Sequence, residues 1–228
     1  MTDLTNKTKR RLHTVLEQIK NIFPTLIISG VISLGGAAVT ALVARLTGNP
    51  IWRLAKDPAQ VVGYEPYIGM LSNWAVLLWF ASAVICLFTE IILRKSGAAL
   101  RPRLFFLASG ILSLTLALDD LFLLHDVILP NTLEIRESIF YLMYLVTTIL
   151  YILIFLREIH QKEYILFWIS FLLLFYSRGY PFLLPFLREY ETPGDMLKYF
   201  GIVFWLAFFY RAASQEILWV IRKEKSSS

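Results

Sequence analysis

Long apolar blocks alternate with short charged or polar segments along most of this chain. A run of about 18 or more apolar residues with few charges is long enough to cross a bilayer as a helix. Six blocks meet that description: 23–45, 69–93, 104–129, 138–156, 165–187 and 196–219. The pattern therefore predicts an all-α fold, a polytopic integral membrane protein built as a bundle of six transmembrane helices.

The blocks divide the chain into three segments. We predict a cytoplasmic amphipathic segment at 1–22, a six-helix transmembrane domain at 23–221 and a cytoplasmic tail at 222–228. In the first segment apolar residues recur at helical spacing among basic ones, which fits a helix lying on an anionic membrane surface. The same basic residues also fit a simple orientation signal, and both interpretations stay open. Small residues spaced four apart in the first span predict close helix packing there.

Basic residues are distributed unequally between the two sides of the predicted bundle. Of the 22 Lys and Arg residues, fifteen fall on the side of the termini, six fall on the other side, and Arg178 lies inside a span. Cytoplasmic loops carry an excess of Lys and Arg. We therefore expect both termini in the cytoplasm, and the cell membrane as the location.

The composition agrees with a bilayer as the main environment. Hydrophobic residues make up 57% of the chain, charged residues make up 17%, and the mean hydropathy is +0.61. Soluble proteins average about 45–50% apolar and about 25% charged residues. The net charge of +5 resides largely in the orienting loops, so we expect the lipid bilayer and no nucleic acid as partner. Cys86 is the only cysteine, which excludes an internal disulfide and a cysteine-based metal site.

The stretch LALDDLFLLHD places Asp119, Asp120, His125 and Asp126 inside or beside an apolar span. Each charged side chain in the hydrocarbon costs at least about 2.5–3.5 kcal/mol, so such residues face one another or a water-filled space. At 1.5 Å per residue, Arg178 in the fifth span lies at a similar depth to the aspartates. Two readings are open for Asp119 with Arg178: an ion pair that fixes the bundle, or part of a polar site reached from outside.

Asn73 completes the candidate polar site, because it lies near the outer start of the second span at a similar level. One carboxylate can pair with Arg178, which leaves Asp120 in need of a partner or a proton and makes it the expected proton carrier. Helical phase places His125 about 120° away from Asp119, so convergence requires the helix end to unwind or other helices to contribute. For His125 the alternative is a residue close to the headgroups.

No metal or other cofactor is assigned by the sequence. The three histidines fall in segments too far apart to meet, which disfavours a zinc site. A carboxylate-rich site of Asp119, Asp120 and Asp126, with Glu134 or Glu137, would favour Mg²⁺, Mn²⁺ or Ca²⁺.

Connections and helix ends give further expectations. Asn49 and Pro50 predict the start of a short surface helix, and Asn131 with Glu134 predicts the start of the fourth span. Glu90, near the inner end of the second span, is expected to pair with Arg94 or with Arg211. Proline residues at 181 and 185 predict a kink or break in the fifth span.

Three classes of function fit these features. The first is a transporter or channel-like protein that binds an ion or small polar solute at the polar layer, with proton coupling through Asp120. The second is a membrane-embedded enzyme that acts on lipid headgroups, with a divalent metal on the aspartates and His125 as acid or base. The third is a scaffold or assembly factor in which the polar layer only locks helices together. The sequence assigns no catalytic residue.

Overall fold

The computed structural model of this chain describes residues 2–134, 136–183 and 192–227, and in these residues the secondary structure is helical, without strands. Five segments are long and apolar enough to cross a membrane: Ile22–Thr47, Met70–Lys95, Leu100–Phe122, Leu142–His160 and Pro193–Lys223. A shorter apolar helix, Tyr164–Ser177, lies between the last two. The chain is therefore a helical protein with several apolar, membrane-compatible helices.

The chain forms two compact units, and the first comprises residues 1–68. Its long helix α1 (Thr2–Thr47) continues through Pro24, so no helix boundary separates the predicted amphipathic segment from the first span. Two short helices follow, α2 (Ile51–Ala55) and α3 (Pro58–Val62). The predicted surface helix after Pro50 is thus present, and Asp57 starts the next one by accepting the Ala59 N–H at 2.8 Å.

The second unit, residues 69–228, contains the remaining helices. They are α4 (Met70–Lys95), α5 (Leu100–Phe122), a π-helical turn (Leu124–Ile128), α6 (Leu129–Leu133), α7 (Glu137–His160), α8 (Tyr164–Leu183) and α9 (Thr192–Ser227). Five of them contact one another in a closed ring, in the order α5, α4, α9, α8, α7 and back to α5. The seams on either side of α7 are the least extensive, so α7 closes the ring with the smallest contact.

Aromatic side chains fill the centre of this ring. Phe105 on α5 meets Phe155 on α7 and Phe208 on α9 edge to face. The ring centroids are 5.7 Å apart in the first pair and 6.5 Å apart in the second. Such edge-to-face pairs stabilise a core beyond the area that they bury. A buried hydrogen bond of 2.6 Å between the Ser109 and Tyr151 hydroxyls ties α5 to α7 in the same layer.

Two glycines allow the neighbouring helices to approach closely. A Cβ atom at Gly110 on α5 would lie 2.7 Å from Cγ of Leu87 on α4. A Cβ atom at Gly201 on α9 would lie 2.7 Å from Cγ of Leu174 on α8. In membranes, small residues at helix contacts provide this proximity. The close contacts between α4 and α5 and between α8 and α9 therefore each depend on a single glycine.

Ion pairs gather at the end of the unit where α4 and α7 finish and α5 and α8 begin. Arg94 donates to both carboxylate oxygens of Glu90 at 2.9 and 2.8 Å, which confirms one of the two predicted partners. Arg211, the other expected partner, instead donates to Glu163 in the connection between α7 and α8. Hydrogen bonds from that guanidinium lower the pKa of the Glu163 carboxyl.

Two predicted helix limits are wrong. The third span was predicted to run to residue 129, but α5 ends at Phe122 and a break follows. The fourth long helix, α7, begins at Glu137 and not at Asn131, which lies inside α6. Glu134 ends α6 in the left-handed conformation with φ 56°, so the apparent capping pair does not start a helix. Pro181 lies within α8, and residue 185 falls outside the described residues.

Candidate functional site

The break after α5 creates the local geometry of the site. Leu123 adopts the left-handed conformation, φ 51° and ψ 44°, and its N–H donates to the carbonyl of Asp119. A non-glycine residue in this conformation costs about 1–2 kcal/mol. The following π-helical turn carries His125, whose backbone N–H donates to the Asp119 carboxylate at 3.0 Å. One aspartate therefore satisfies two backbone donors of the broken helix end.

His125 lies between two carboxylates. Its Nδ1 is hydrogen-bonded to Oδ2 of Asp119, and its Nε2 lies 2.8 Å from Oδ1 of Asp126. The residues His125 and Asp119 are buried, with 4% and 2% of their surface exposed, whereas the Asp126 side chain is 33% exposed. Helical phase alone kept His125 away from Asp119, and the unwound helix end supplies the convergence. The arrangement connects a half-buried carboxylate to a buried one through an imidazole.

Tyr144 on α7 joins this group, although the sequence analysis missed it. Its ring meets the His125 ring edge to face, with centroids 5.7 Å apart and an interplanar angle of 89°. Its hydroxyl lies near the carboxylate of Asp119. A phenol inside an apolar span usually finds a hydrogen-bond partner. That rule could have nominated Tyr144 by its position near the outer start of the fourth span.

Asp120 belongs to a second pair. Lys198 on α9 donates to Oδ1 of Asp120 at 2.6 Å, and the two side chains are 28% and 9% exposed. From the sequence, Lys198 counted only as one of the six basic residues on the side away from the termini, and Asp120 was left in need of a partner or a proton. The structure supplies the partner, because the start of α9 reaches the same level as the end of α5. Asp120 is thus an anchored carboxylate, and its role as a proton carrier stays a prediction.

A cavity of about 400 Å³ opens beside these groups in the middle of the helix ring. Its polar end is formed by Asp119, Asp120, His125, Tyr144 and Lys198. Its walls are mainly apolar and aromatic, and they include Trp79, Phe171, Phe175 and Trp205. Pockets of this kind, apolar with a few convergent polar groups, are typical of small-molecule sites.

The two tryptophans of the wall are held in place. Trp79 and Trp205 meet edge to face with centroids 5.5 Å apart and an interplanar angle of 70°. The indole N–H of Trp205 donates to the hydroxyl of Ser113 at 2.9 Å. Because this buried donor already has a partner, the indole presents its apolar surface to the cavity.

The remaining predicted site residues have different places. Asn73 is exposed on the first turn of α4 and does not line the cavity, so the structure does not bring it to the site. Arg178 lies in α8, one residue after the cavity-lining Ser177, but its side chain falls outside the described residues. A pair between Asp119 and Arg178 therefore stays a prediction.

A metal site is not assembled in the part of the chain that the structure describes. Within it, no group of three His, Cys, Asp or Glu side chains is placed to hold an ion. Nδ1 of His125 is hydrogen-bonded to Asp119, and Nε2 is a buried atom that lies 2.8 Å from Oδ1 of Asp126. What the arrangement can do is accept hydrogen bonds, attract positive charge and move a proton.

Comparison with known proteins places the chain in a family. Among curated proteins and among solved structures, none matches the chain. One protein family does match, over a region that contains the residues at the polar end of the cavity. Residues 31–212 match the family described as a domain of unknown function, DUF8692, and because this region is most of the chain, the protein belongs to that family.

Proposed function

We propose that this protein spans the membrane with six helices, has both termini in the cytoplasm, and binds a small amphiphilic cation in exchange for protons. One observation supports the proposal above all: a cavity of about 400 Å³ with aromatic walls has two carboxylates at one end. The count of six adds α8 to the five long apolar segments. The orientation rests on the excess of Lys and Arg on the side of the termini.

The charge at the polar end favours a cation. Among the described residues, Asp119 and Asp120 line that end and Asp126 lies behind His125, which gives three carboxyl groups against the ammonium of Lys198. Negative charge remains in excess even when His125 is protonated. At low dielectric such an excess attracts a positive group strongly. The cavity is therefore electrostatically suited to the polar end of an organic cation.

The aromatic walls fit the rest of such a molecule. Trp79, Trp205, Phe171 and Phe175 can pack against an apolar body, and aromatic faces also attract a cation with a free energy of about 0.5–2 kcal/mol. A bare metal ion would gain little from these walls, since it takes oxygen ligands. We therefore expect an amphiphilic amine or quaternary ammonium compound as ligand.

Exchange for protons follows from the carboxylates. A carboxylate that binds a proton loses the negative charge that holds the cation, so proton and ligand compete for the same group. Asp126 and Asp119 lie on opposite nitrogens of His125, and an imidazole can accept a proton at one nitrogen and release one from the other. This gives Asp119 a route for protons from the half-buried Asp126.

A binding measurement on the purified protein in lipid nanodiscs tests the proposal. Benzyltrimethylammonium serves as the probe, with benzyl alcohol and benzoate as neutral and anionic controls, and tryptophan fluorescence reports occupancy because Trp79 and Trp205 line the cavity. We expect saturable binding of the cation alone, weaker at lower pH, with release of protons into a weakly buffered solution. Equal binding of benzyl alcohol, or binding without proton release, would contradict the proposal.

The two other classes of function have less support. A metal-dependent enzyme needs open ligand positions, while both nitrogens of His125 face carboxylates. In a scaffold the polar layer would be closed, whereas here a cavity of about 400 Å³ opens beside it. The binding measurement described above distinguishes the proposed function from both classes, because neither an enzyme nor a scaffold would release protons on binding an organic cation.

A further inference from the structure

A second pocket of about 250 Å³ lies at the opposite end of the ring, where α5 begins and α7 ends. Three cationic side chains line it, those of Arg101, Arg157 and Lys162, together with the carboxylates of Glu158 and Glu216. In the orientation proposed above, which the excess of Lys and Arg supports, this end lies at the cytoplasmic face. The pocket is independent of the cation site proposed above and shares no residue with it.

Glu158 is the unusual member of this pocket. The residue is only 7% exposed, and its Oε1 forms an ion pair with Arg101, whose Nε lies 3.2 Å away. Its second oxygen, Oε2, is buried without a hydrogen-bond partner among the described residues. A buried acceptor of this kind destabilises the folded protein, and more so when it is charged. A ligand that donates a hydrogen bond to Oε2 would remove that cost.

The cations of the pocket divide into paired and available groups. Lys162 is hydrogen-bonded to Glu216, and Arg101 is paired with Glu158. Arg157, in the last turn of α7, is exposed and has no carboxylate within ion-pair distance in the part of the chain that the structure describes. A guanidinium binds a phosphodiester through two parallel hydrogen bonds. The pocket thus offers one site for an anionic phosphate beside one for a donor.

We propose that this pocket binds the headgroup of a phospholipid that carries a primary ammonium group, with the phosphodiester on Arg157 and the ammonium on Oε2 of Glu158. Basic pockets between transmembrane helices on the cytoplasmic side are suited to phospholipid headgroups. A primary ammonium has three N–H donors, whereas a choline headgroup has the same charge and none. The pocket should therefore select ethanolamine over choline headgroups.

Native mass spectrometry of the purified full chain tests this selectivity, with dioleoylphosphatidylethanolamine and dioleoylphosphatidylcholine added in equal amounts. We expect the ethanolamine lipid to bind about tenfold more strongly, which is the effect of one hydrogen bond to a charged group. Equal binding of the two lipids would overturn the proposal. Free phosphoethanolamine, added as competitor, should displace little of the lipid, and full displacement would show that the site takes soluble phosphates instead.

Three variants locate the effect. Glu158→Gln should remove the preference for the ethanolamine lipid and weaken choline lipid binding less than ethanolamine lipid binding. Arg157→Gln should weaken both lipids alike, and because this side chain is exposed, the variant tests the pocket even if Glu158→Gln fails to fold. Lys95→Gln is the matched control, since it removes an exposed positive charge at the same end but does not line the pocket. A preference that survives Glu158→Gln, or an equal loss in Lys95→Gln, would refute the proposed headgroup site.

Discussion

The imidazole of His125 is hydrogen-bonded to the carboxylate of Asp119 across a break in the helix that carries the aspartate. The two residues are six positions apart, and in a continuous α-helix their side chains would point about 120° apart. The left-handed Leu123 and the π-helical turn after it bring them together. Strained residues and π-helical turns are frequent at functional sites, where the surrounding contacts maintain them. The hydrogen bond and the break therefore depend on each other.

Asp119→Asn should abolish cation binding and preserve most of the local structure. The amide keeps a carbonyl oxygen that can accept from the His125 backbone, but it loses the charge that attracts the ligand. We expect the affinity for benzyltrimethylammonium to fall at least about tenfold. The melting temperature should also decrease, because a hydrogen bond to a charged group contributes about 1.5–3 kcal/mol. Unchanged affinity with a lower melting temperature would show that Asp119 only caps the helix.

Leu123→Gly should stabilise the protein. Glycine adopts the left-handed conformation without the steric penalty of about 1–2 kcal/mol, and the Leu123 side chain is 50% exposed, so little packing is lost. We expect the free energy of unfolding to rise by less than about 1 kcal/mol in a denaturation experiment in detergent, because the greater freedom of glycine in the unfolded chain offsets part of the gain. Cation binding should stay intact.

Leu121→Gly provides the matched control for that change. Leu121 is 53% exposed but lies within α5, where glycine is unfavourable by about 1 kcal/mol. The two variants should therefore shift stability in opposite directions. A loss of stability in both would mean that the left-handed conformation at position 123 is not a feature of the folded protein.

Helix existence could be predicted from the sequence, because a bilayer requires long apolar blocks and such blocks are visible without any tertiary information. The second span, predicted at 69–93, is the helix Met70–Lys95. The break after Asp119 could not be located, since residues 119–129 contain neither glycine nor proline. Its one local signal is the aspartate, whose side chain competes with the helix for backbone N–H groups.

Contacts between helices were harder to predict than the helices themselves. Pairing of Asp120 with Lys198 joins residues that are 78 positions apart, and nothing in the sequence indicates that this lysine faces the end of another helix. Close helix packing was predicted from small residues in the first span. In the second unit the same physical device operates at Gly110 and Gly201, single glycines without a repeating pattern. Spacing within one helix cannot reveal which residue a neighbouring helix will present.

Gly110→Ala should destabilise the second unit. The new methyl group would lie 2.7 Å from Cγ of Leu87 and 3.2 Å from its backbone nitrogen, so α4 and α5 would have to separate. Overpacking of this kind costs about 1–3 kcal/mol, which thermal unfolding in detergent can measure. Adding Leu87→Ala creates space for the methyl group. The double variant should then lose less stability than the sum of the two single variants, and strict additivity would argue against the contact.

Opposite changes in the Asp120–Lys198 pair give the sharpest test of the electrostatic argument. Lys198→Gln removes the only described cation at the polar end of the cavity, so the affinity for benzyltrimethylammonium should rise about tenfold. Asp120→Asn removes a carboxylate and leaves the lysine without its partner, so the affinity should fall by a similar factor. Isothermal titration at constant pH measures both, and thermal unfolding checks that each variant is folded. If both variants weaken binding equally, the pair positions the helices, and the charge at that end does not select the ligand.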